Sequence, residues 1–182
     1  MLLRRSMSGD VEARESLWRQ LHGQLKSMAR RRLAAESAAD VQATELVNEA
    51  FLKLDSLSVE PTDRLHFLAL AARAMRQVLV DQARARLRDK RGAGLRPVTL
   101  VTRELAGDTV VSLDVLDLEK ALIELESLDQ RKASAIELSY FGGLTDYEVA
   151  EALSVSSATI KRDLRTARAW LATALESESD LQ

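Results

Sequence analysis

The chain has 182 residues, enough for one ordinary domain or two small ones, with the 46% apolar and 30% charged composition of a globular protein. It has no cysteine and only two histidines, His22 and His66, which excludes disulfides, thiol catalysis and cysteine-based zinc sites and leaves little for a histidine metal site. The net charge of −2 hides a bipolar distribution: residues 1–91 hold 17 Lys/Arg against 12 Asp/Glu, whereas residues 92–182 hold 9 against 16.

With two prolines, seven glycines and an excess of Ala, Leu, Arg and Glu, helix is the expected state. The longest uncharged stretch, Ala152 to Ile160, is nine residues, well short of the roughly twenty that a membrane span needs. The N-terminal "MLLRRSMSGD" lacks the apolar core of a signal peptide, so a soluble cytoplasmic protein with no membrane contact is expected.

In chain order, Leu17, Leu21, Leu25 and Met28 recur at helical spacing between Val11 and Leu33, with Trp18 beside them and "Ser8-Gly9-Asp10" as an entry signal. A second helix is expected over "ELVNEAFLKL", Glu45 to Leu54, entered through Thr44. After a loop around Pro61, a long helix should run from about Leu65 to Asp89. Its stripe is Phe67, Ala71, Ala74, Met75, Val78 and Leu79, and Gly92 and Gly94 stop it. Residues 93–112 lose the pattern and read as an extended linker, although "PVTLVT" is β-like; fully extended, such a segment reaches roughly 70 Å.

Helix should resume from Leu113 to Leu125 on Leu118, Ala121, Leu122 and Leu125. Two capping-box patterns follow, Ser127 before Gln130 and Thr145 before Glu148. Between them a helix should end near Gly142-Gly143. The expected fold is all-α: two small helical domains, residues 1–92 and 113–182, joined by the 93–112 linker. No phosphate-cradling glycine loop, nucleophile–base set or metal-ligand spacing occurs, so neither enzymatic activity nor a cofactor is expected.

The short helix opened by Thr145, the turn "SVS" and a longer helix to about Leu175 spell a helix-turn-helix. Small Ala150 suits the helix crossing, Val155 plugs the turn, and Ser156 is a good N-cap. At about 100° per residue, Ile160, Leu164, Ala167 and Leu171 fall within about 60° of one another. Ala158, Lys161, Arg162, Arg165 and Arg168 form a stripe roughly 130° away, and Asp163 lies well beyond its edge. Such a helix fills a major groove: small residues let its backbone approach, while Arg and Lys reach guanine edges and phosphates. Residues 73–91 hold a second basic segment, seven Arg/Lys against Asp81 and Asp89. Each basic helix taken alone also fits a solvated surface; two of them fit two contacts on one nucleic acid.

"TDYEVAEALSVSSATIKRDLRTARAWL" resembles region four of sigma-70-family RNA polymerase sigma factors, in particular the extracytoplasmic-function (ECF) group. "ATELVNEAFLKL" is similar to that group's region 2.2, "FLALAARAMRQVLVDQARARLRDKRG" to regions 2.3 and 2.4, and "GDVEARESLWRQLHGQLKSMARRRL" to region 2.1. The resemblance implies a promoter-specificity subunit whose partners are RNA polymerase core, through the β′ clamp helices and the β flap, promoter DNA, and an anti-sigma factor. It further implies that Glu45, Leu46, Asn48, Glu49 and Phe51 meet the clamp helices. Arg64, His66, Phe67, Arg73, Arg76, Asp81 and Arg84 would melt and read the minus-ten element. Ser157, Ala158, Lys161, Arg162, Arg165 and Arg168 would read the minus-thirty-five element. The sequence departs from the group at Ser154, where glycine is common, at Asn48, where glutamine is common, and in having Phe67 as the melting segment's one aromatic residue.

Two other readings fit parts of the pattern. A stand-alone helix-turn-helix regulator, with the first half for dimerisation, would hold duplex DNA without polymerase. A helical partner-binding protein that has lost DNA binding would be indifferent to Lys161, Arg162 and Arg165. The acidic segment from Glu104 to Glu151, with twelve acids and three bases, cannot face phosphate favourably. It suits a solvated surface, a basic polymerase element, or a brake on free DNA binding.

Overall fold

A computed structural model describes residues 12, 22–23, 25–27, 29, 39–56, 63–89, 99–102 and 111–179. Leu17, Trp18, Leu21 and Met28, the loop at Pro61, the stop at Gly92 and Gly94 and most of the 93–112 segment lie outside these residues. Within the first expected helix, Leu25 and Ala29 are helical and buried.

Helix α1 spans Ala39–Ser56. It buries Ala43, Leu46, Val47 and Ala50, the i, i+3, i+4, i+7 spacing of one packed face. It starts before the expected Thr44 because Ala43, fully buried, carries the packed stripe one turn further back. Helix α2, Arg64–Asp89, is entered through Asp63, whose carboxylate accepts the His66 backbone N–H at 2.8 Å. Its buried positions run in adjacent pairs, Ala71 with Ala72, Ala74 with Met75 and Leu79 with Val80. At about 100° per residue these and the other buried positions from Phe67 to Ala83 cover about two-thirds of the helix circumference, wider than one stripe; α2 is buried on two sides, by α1 and by helices of the second half.

Thr99–Thr102 (β1) pairs antiparallel with Val111–Asp114 (β2), Thr99 opposite Asp114. The expected linker therefore folds back on itself rather than extending, and Leu113 belongs to a strand, not to the next helix. That helix, α3, is Val115–Leu128 and is capped by Asp114, whose side chain accepts from the Leu116 N–H at 2.7 Å. Helix α4, Gln130–Tyr140, is capped by Asp129 through the Lys132 N–H at 3.0 Å. This corrects the Ser127 capping box. Ser127 still lies inside α3, where its hydroxyl donates to the Glu124 carbonyl at 2.7 Å, while Asp129 holds the extended backbone (φ −156°, ψ 94°) a cap requires.

After Tyr140 and Phe141, whose rings meet edge to face at 4.9 Å, the chain turns at Gly142 and Gly143. Gly143 has φ 58°, the left-handed region natural to glycine. A Cβ on Gly142 would sit 2.4 Å from the Leu138 carbonyl oxygen and 3.2 Å from the Ala72 Cβ, so this turn lets α2 approach closely. Helices α5, Asp146–Ala152, and α6, Ser157–Ser179, complete the described residues. α6 packs on α3, α4 and α5, while α2 touches α3, α4 and α5. A single buried apolar cluster runs through both halves.

Candidate nucleic-acid interface

Helix α5 opens with a complete capping box. The Glu148 N–H donates to the Thr145 hydroxyl at 3.3 Å, and the Glu148 carboxylate accepts the Thr145 N–H at 3.0 Å. The Arg64 guanidinium and the Thr145 backbone N–H hold the Glu148 carboxyl below the usual carboxylate range. Val149 and Ala150 are buried against α6, and the Val155 N–H closes the turn on the Ala150 carbonyl at 2.9 Å. Ser156 then caps α6, accepting the Thr159 N–H at 3.1 Å.

Ser154, in this turn, has φ 54°. A side chain in the left-handed region costs about 1 kcal/mol that glycine avoids. Ser154→Gly should raise stability by about 0.5–1 kcal/mol, part of the gain being offset by the freer unfolded chain. A thermal melt checks this, with DNA affinity unchanged.

The two faces of α6 separate as the helical wheel requires. Ile160, Leu164, Ala167 and Leu171 are buried, whereas Ser157, Ala158, Lys161, Arg162 and Arg165 are exposed and Arg168 is half-buried. Asp163 is only 3% exposed, and its carboxylate accepts from Arg131 of α4, Nε to Oδ2 at 2.7 Å and Nη2 to Oδ1 at 3.4 Å. Asp163 is thus turned inward from α6 onto Arg131 of α4. Among the described residues, Lys161, Arg162 and Arg165 engage no acidic side chain.

The first-half candidates are placed differently. Phe67 belongs to the core, and His66 is half-buried at the start of α2. Arg64 is exposed and pairs with Glu148 at 2.8 Å. Arg73 and Arg84 are exposed, and Asp81 pairs with Lys53 of α1 at 2.6 Å. Arg76 donates to Glu119 of α3 at 2.7 Å and to Glu137 of α4 at 3.3 Å. Burial pushes the Glu137 carboxyl up, more than the neighbouring Arg76 pulls it down.

A family model described as ECF sigma factor matches residues 1–177. The chain belongs to the ECF sigma factor family. A stand-alone regulator is accordingly not favoured. Among solved structures, the sigma factor RpoE in complex with the anti-sigma factor NepR from Bartonella quintana is similar at 23% identity. That similarity covers 91% of this chain and 98% of that one, with a TM-score of 0.42. None of the curated proteins compared matches. Among the described residues, no helix is long and apolar enough to cross a membrane.

In this sigma factor the segment that resembles region 2.2 lies on α1. Glu45, Asn48 and Glu49 are exposed on one face, Glu49 accepting from Gln82 of α2 at 3.0 Å, and Phe51 is half-buried. Leu46 is 3% exposed, so it supports that face from beneath and cannot itself present a contact surface. Leu52, 68% exposed, continues the Glu45, Asn48, Glu49 face at helical spacing. Within "ELVNEAFLKL" nothing local distinguishes Leu52 from the packed leucines; only packing shows that it is exposed. The pairing of Arg131 is not legible in the sequence for a different reason: its partner Asp163 is 32 positions away.

Proposed function

We propose that this sigma factor binds RNA polymerase core through the exposed face of α1 and directs it to promoters. In this reading Ser157, Ala158, Lys161, Arg162 and Arg165 of α6 read the minus-thirty-five element in the major groove, with Arg168 nearer the edge. Arg64, His66, Arg73, Arg76 and Arg84 serve the minus-ten element, and Phe67 and Leu46 act as packing beneath these surfaces. The factor works in the cytoplasm, catalyses no reaction itself, and has the β′ clamp helices, the β flap and an anti-sigma factor as protein partners. The domain division at residues 92 and 113 belongs to the same reading, each half carrying one promoter contact.

One observation carries it: α6 buries its apolar stripe and turns Asp163 inward, leaving Lys161, Arg162 and Arg165 exposed and uncommitted among the described residues. A solvated helix has no need to turn Asp163, the acid nearest these bases in the chain, inward onto an arginine. Sequencing transcript 5′ ends after overexpression tests the reading. New start sites should share two spaced upstream elements; scattered starts without them would oppose it. A gel shift with the purified protein separates the regulator alternative, which predicts strong retention of palindromic duplex without polymerase.

Leu52→Asp tests the α1 face. An apolar residue this exposed contributes little to the fold, yet at a protein interface such a group contributes about 1–2 kcal/mol or more. The expected result is about tenfold or greater weakening of core binding in a titration, with an unchanged melting temperature.

A further inference from the structure

Among the described residues, the one buried polar or charged residue is Asp163, on the helix assigned to the minus-thirty-five element. Burying a carboxylate is costly unless it is paired and hydrogen-bonded, and well-packed apolar groups are often as stabilising as such a pair. Stability alone therefore gives no reason for an acid where a leucine would pack. A pair differs from a leucine in having direction. Arg131 meets Asp163 at two points, a short contact from Nε to Oδ2 at 2.7 Å and a long one from Nη2 to Oδ1 at 3.4 Å. Two contacts between planar groups fix their relative orientation as well as their distance. Arg131 is itself anchored, as the second residue of α4. Its turn is closed by Asp129, which takes the Lys132 N–H at 3.0 Å and the Lys132 ammonium at 2.7 Å.

The other buried side chains of α6 are Ile160, Leu164, Ala167 and Leu171, a stripe about 60° wide. Apolar contact has no preferred direction, and a stripe this narrow is a weak stop against a small turn of the helix about its own axis. Side chains extend about 5–6 Å from a helix axis, so a turn of about 10° moves them by about 1 Å. A binding constellation needs its groups held to about 0.5 Å. Asp163 lies about 70° from the middle of the stripe, on the flank away from Lys161 and Arg168, where a directional pair opposes such a turn.

We propose that Arg131 is a positioning residue for promoter recognition: through Asp163 it fixes the rotation of α6, and so the aim of Lys161, Arg162 and Arg165, without touching a base itself. The proposal rests on the assignment of those three residues to the minus-thirty-five element. The pair acts on selectivity. Affinity for DNA of any sequence comes from contacts of the exposed cationic side chains with phosphate, which tolerate a small turn of the helix.

Arg131→Met combined with Asp163→Leu replaces the pair by apolar groups and leaves no unpaired charge buried. Holoenzyme carrying this variant is titrated with a promoter fragment bearing the elements shared by mapped start sites, and with the same fragment after its minus-thirty-five element is scrambled. The ratio of the two affinities should fall about tenfold, the size of one lost bidentate base contact. Affinity for the scrambled fragment, and its salt slope, should stay as in the parent. A purely structural role would instead shift the melting temperature and leave the ratio, measured well below it, where it was. Asp163→Asn keeps the side-chain shape but sets donor against donor at one of the two contacts. It should lower the ratio by a smaller factor, which tests the proposal even if the double variant folds poorly. The rotation itself is read without DNA. The chain contains no cysteine, so Thr166→Cys on α6 and Glu124→Cys on α3, both exposed, take two spin labels. Pulsed electron paramagnetic resonance on the full chain should show a narrow distance population that broadens when the pair is replaced. An unchanged ratio in both variants would overturn the proposal, and a lowered ratio with unchanged distances would contradict rotation as its route. A parent holoenzyme that does not distinguish the two fragments would overturn the minus-thirty-five assignment beneath it.

Discussion

Lys161→Ala, Arg162→Ala and Arg165→Ala combined should weaken minus-thirty-five recognition by at least about a hundredfold while leaving the fold intact. Each bidentate base contact provides about 1–3 kcal/mol of discrimination, and each phosphate contact adds about 0.9 to the slope of log affinity against log salt. The parent holoenzyme should therefore lose DNA affinity steeply as salt rises, and the triple variant should show a slope shallower by up to about 3. All three side chains are exposed and, among the described residues, pair with no acid, so circular dichroism melts should be nearly superimposable. Unchanged promoter affinity in the triple variant would return α6 to the status of a solvated helix.

Leu164→Ala should do the reverse, removing DNA binding by removing structure. Leu164 is 2% exposed and lies on the α6 face packed against its own domain, between Ile160 and Ala167. Truncating a buried leucine costs about 2–5 kcal/mol, the transfer of the lost methyl groups plus the cavity left behind. A small helical unit has a stability of about 5–15 kcal/mol, so this is a large share of it. Urea denaturation should show a much earlier midpoint, and DNA affinity should recover partly on cooling or at low denaturant. Arg165→Ala, one position along the chain, should show the opposite pairing: stability kept and affinity lost. These adjacent substitutions together separate the packing face from the reading face.

How far the sequence reveals this depends on where an interaction's two partners lie. The Thr145–Glu148 capping box is legible because both partners sit three residues apart and the backbone between them has one helical solution. The same rule misleads at Ser127, whose partner Gln130 has the right spacing. There α3 continues to Leu128, and Asp129, a better acceptor on extended backbone, takes the cap. The two faces of α6 follow from periodicity alone, as does the position of Asp163 off the basic stripe. Its partner Arg131 does not, because only packing brings α4 across α6. Similarly, Arg76 reads as one more base on a basic helix until α3 and α4 place Glu119 and Glu137 against it. Phe67 and Leu46 show the converse: a family motif names the position, while packing decides that the side chain faces inward. The fold-back of β1 on β2 is written only weakly in "PVTLVT", since a four-residue strand has no register until its partner is placed.

Run-off transcription with purified polymerase core, on a template carrying the two elements shared by the mapped start sites, tests the central claim most directly. Transcripts of defined length should appear only when this chain is added and should disappear with the Lys161, Arg162 and Arg165 triple variant. No stimulation of transcription, together with no retention of core polymerase by the immobilised chain, would contradict it.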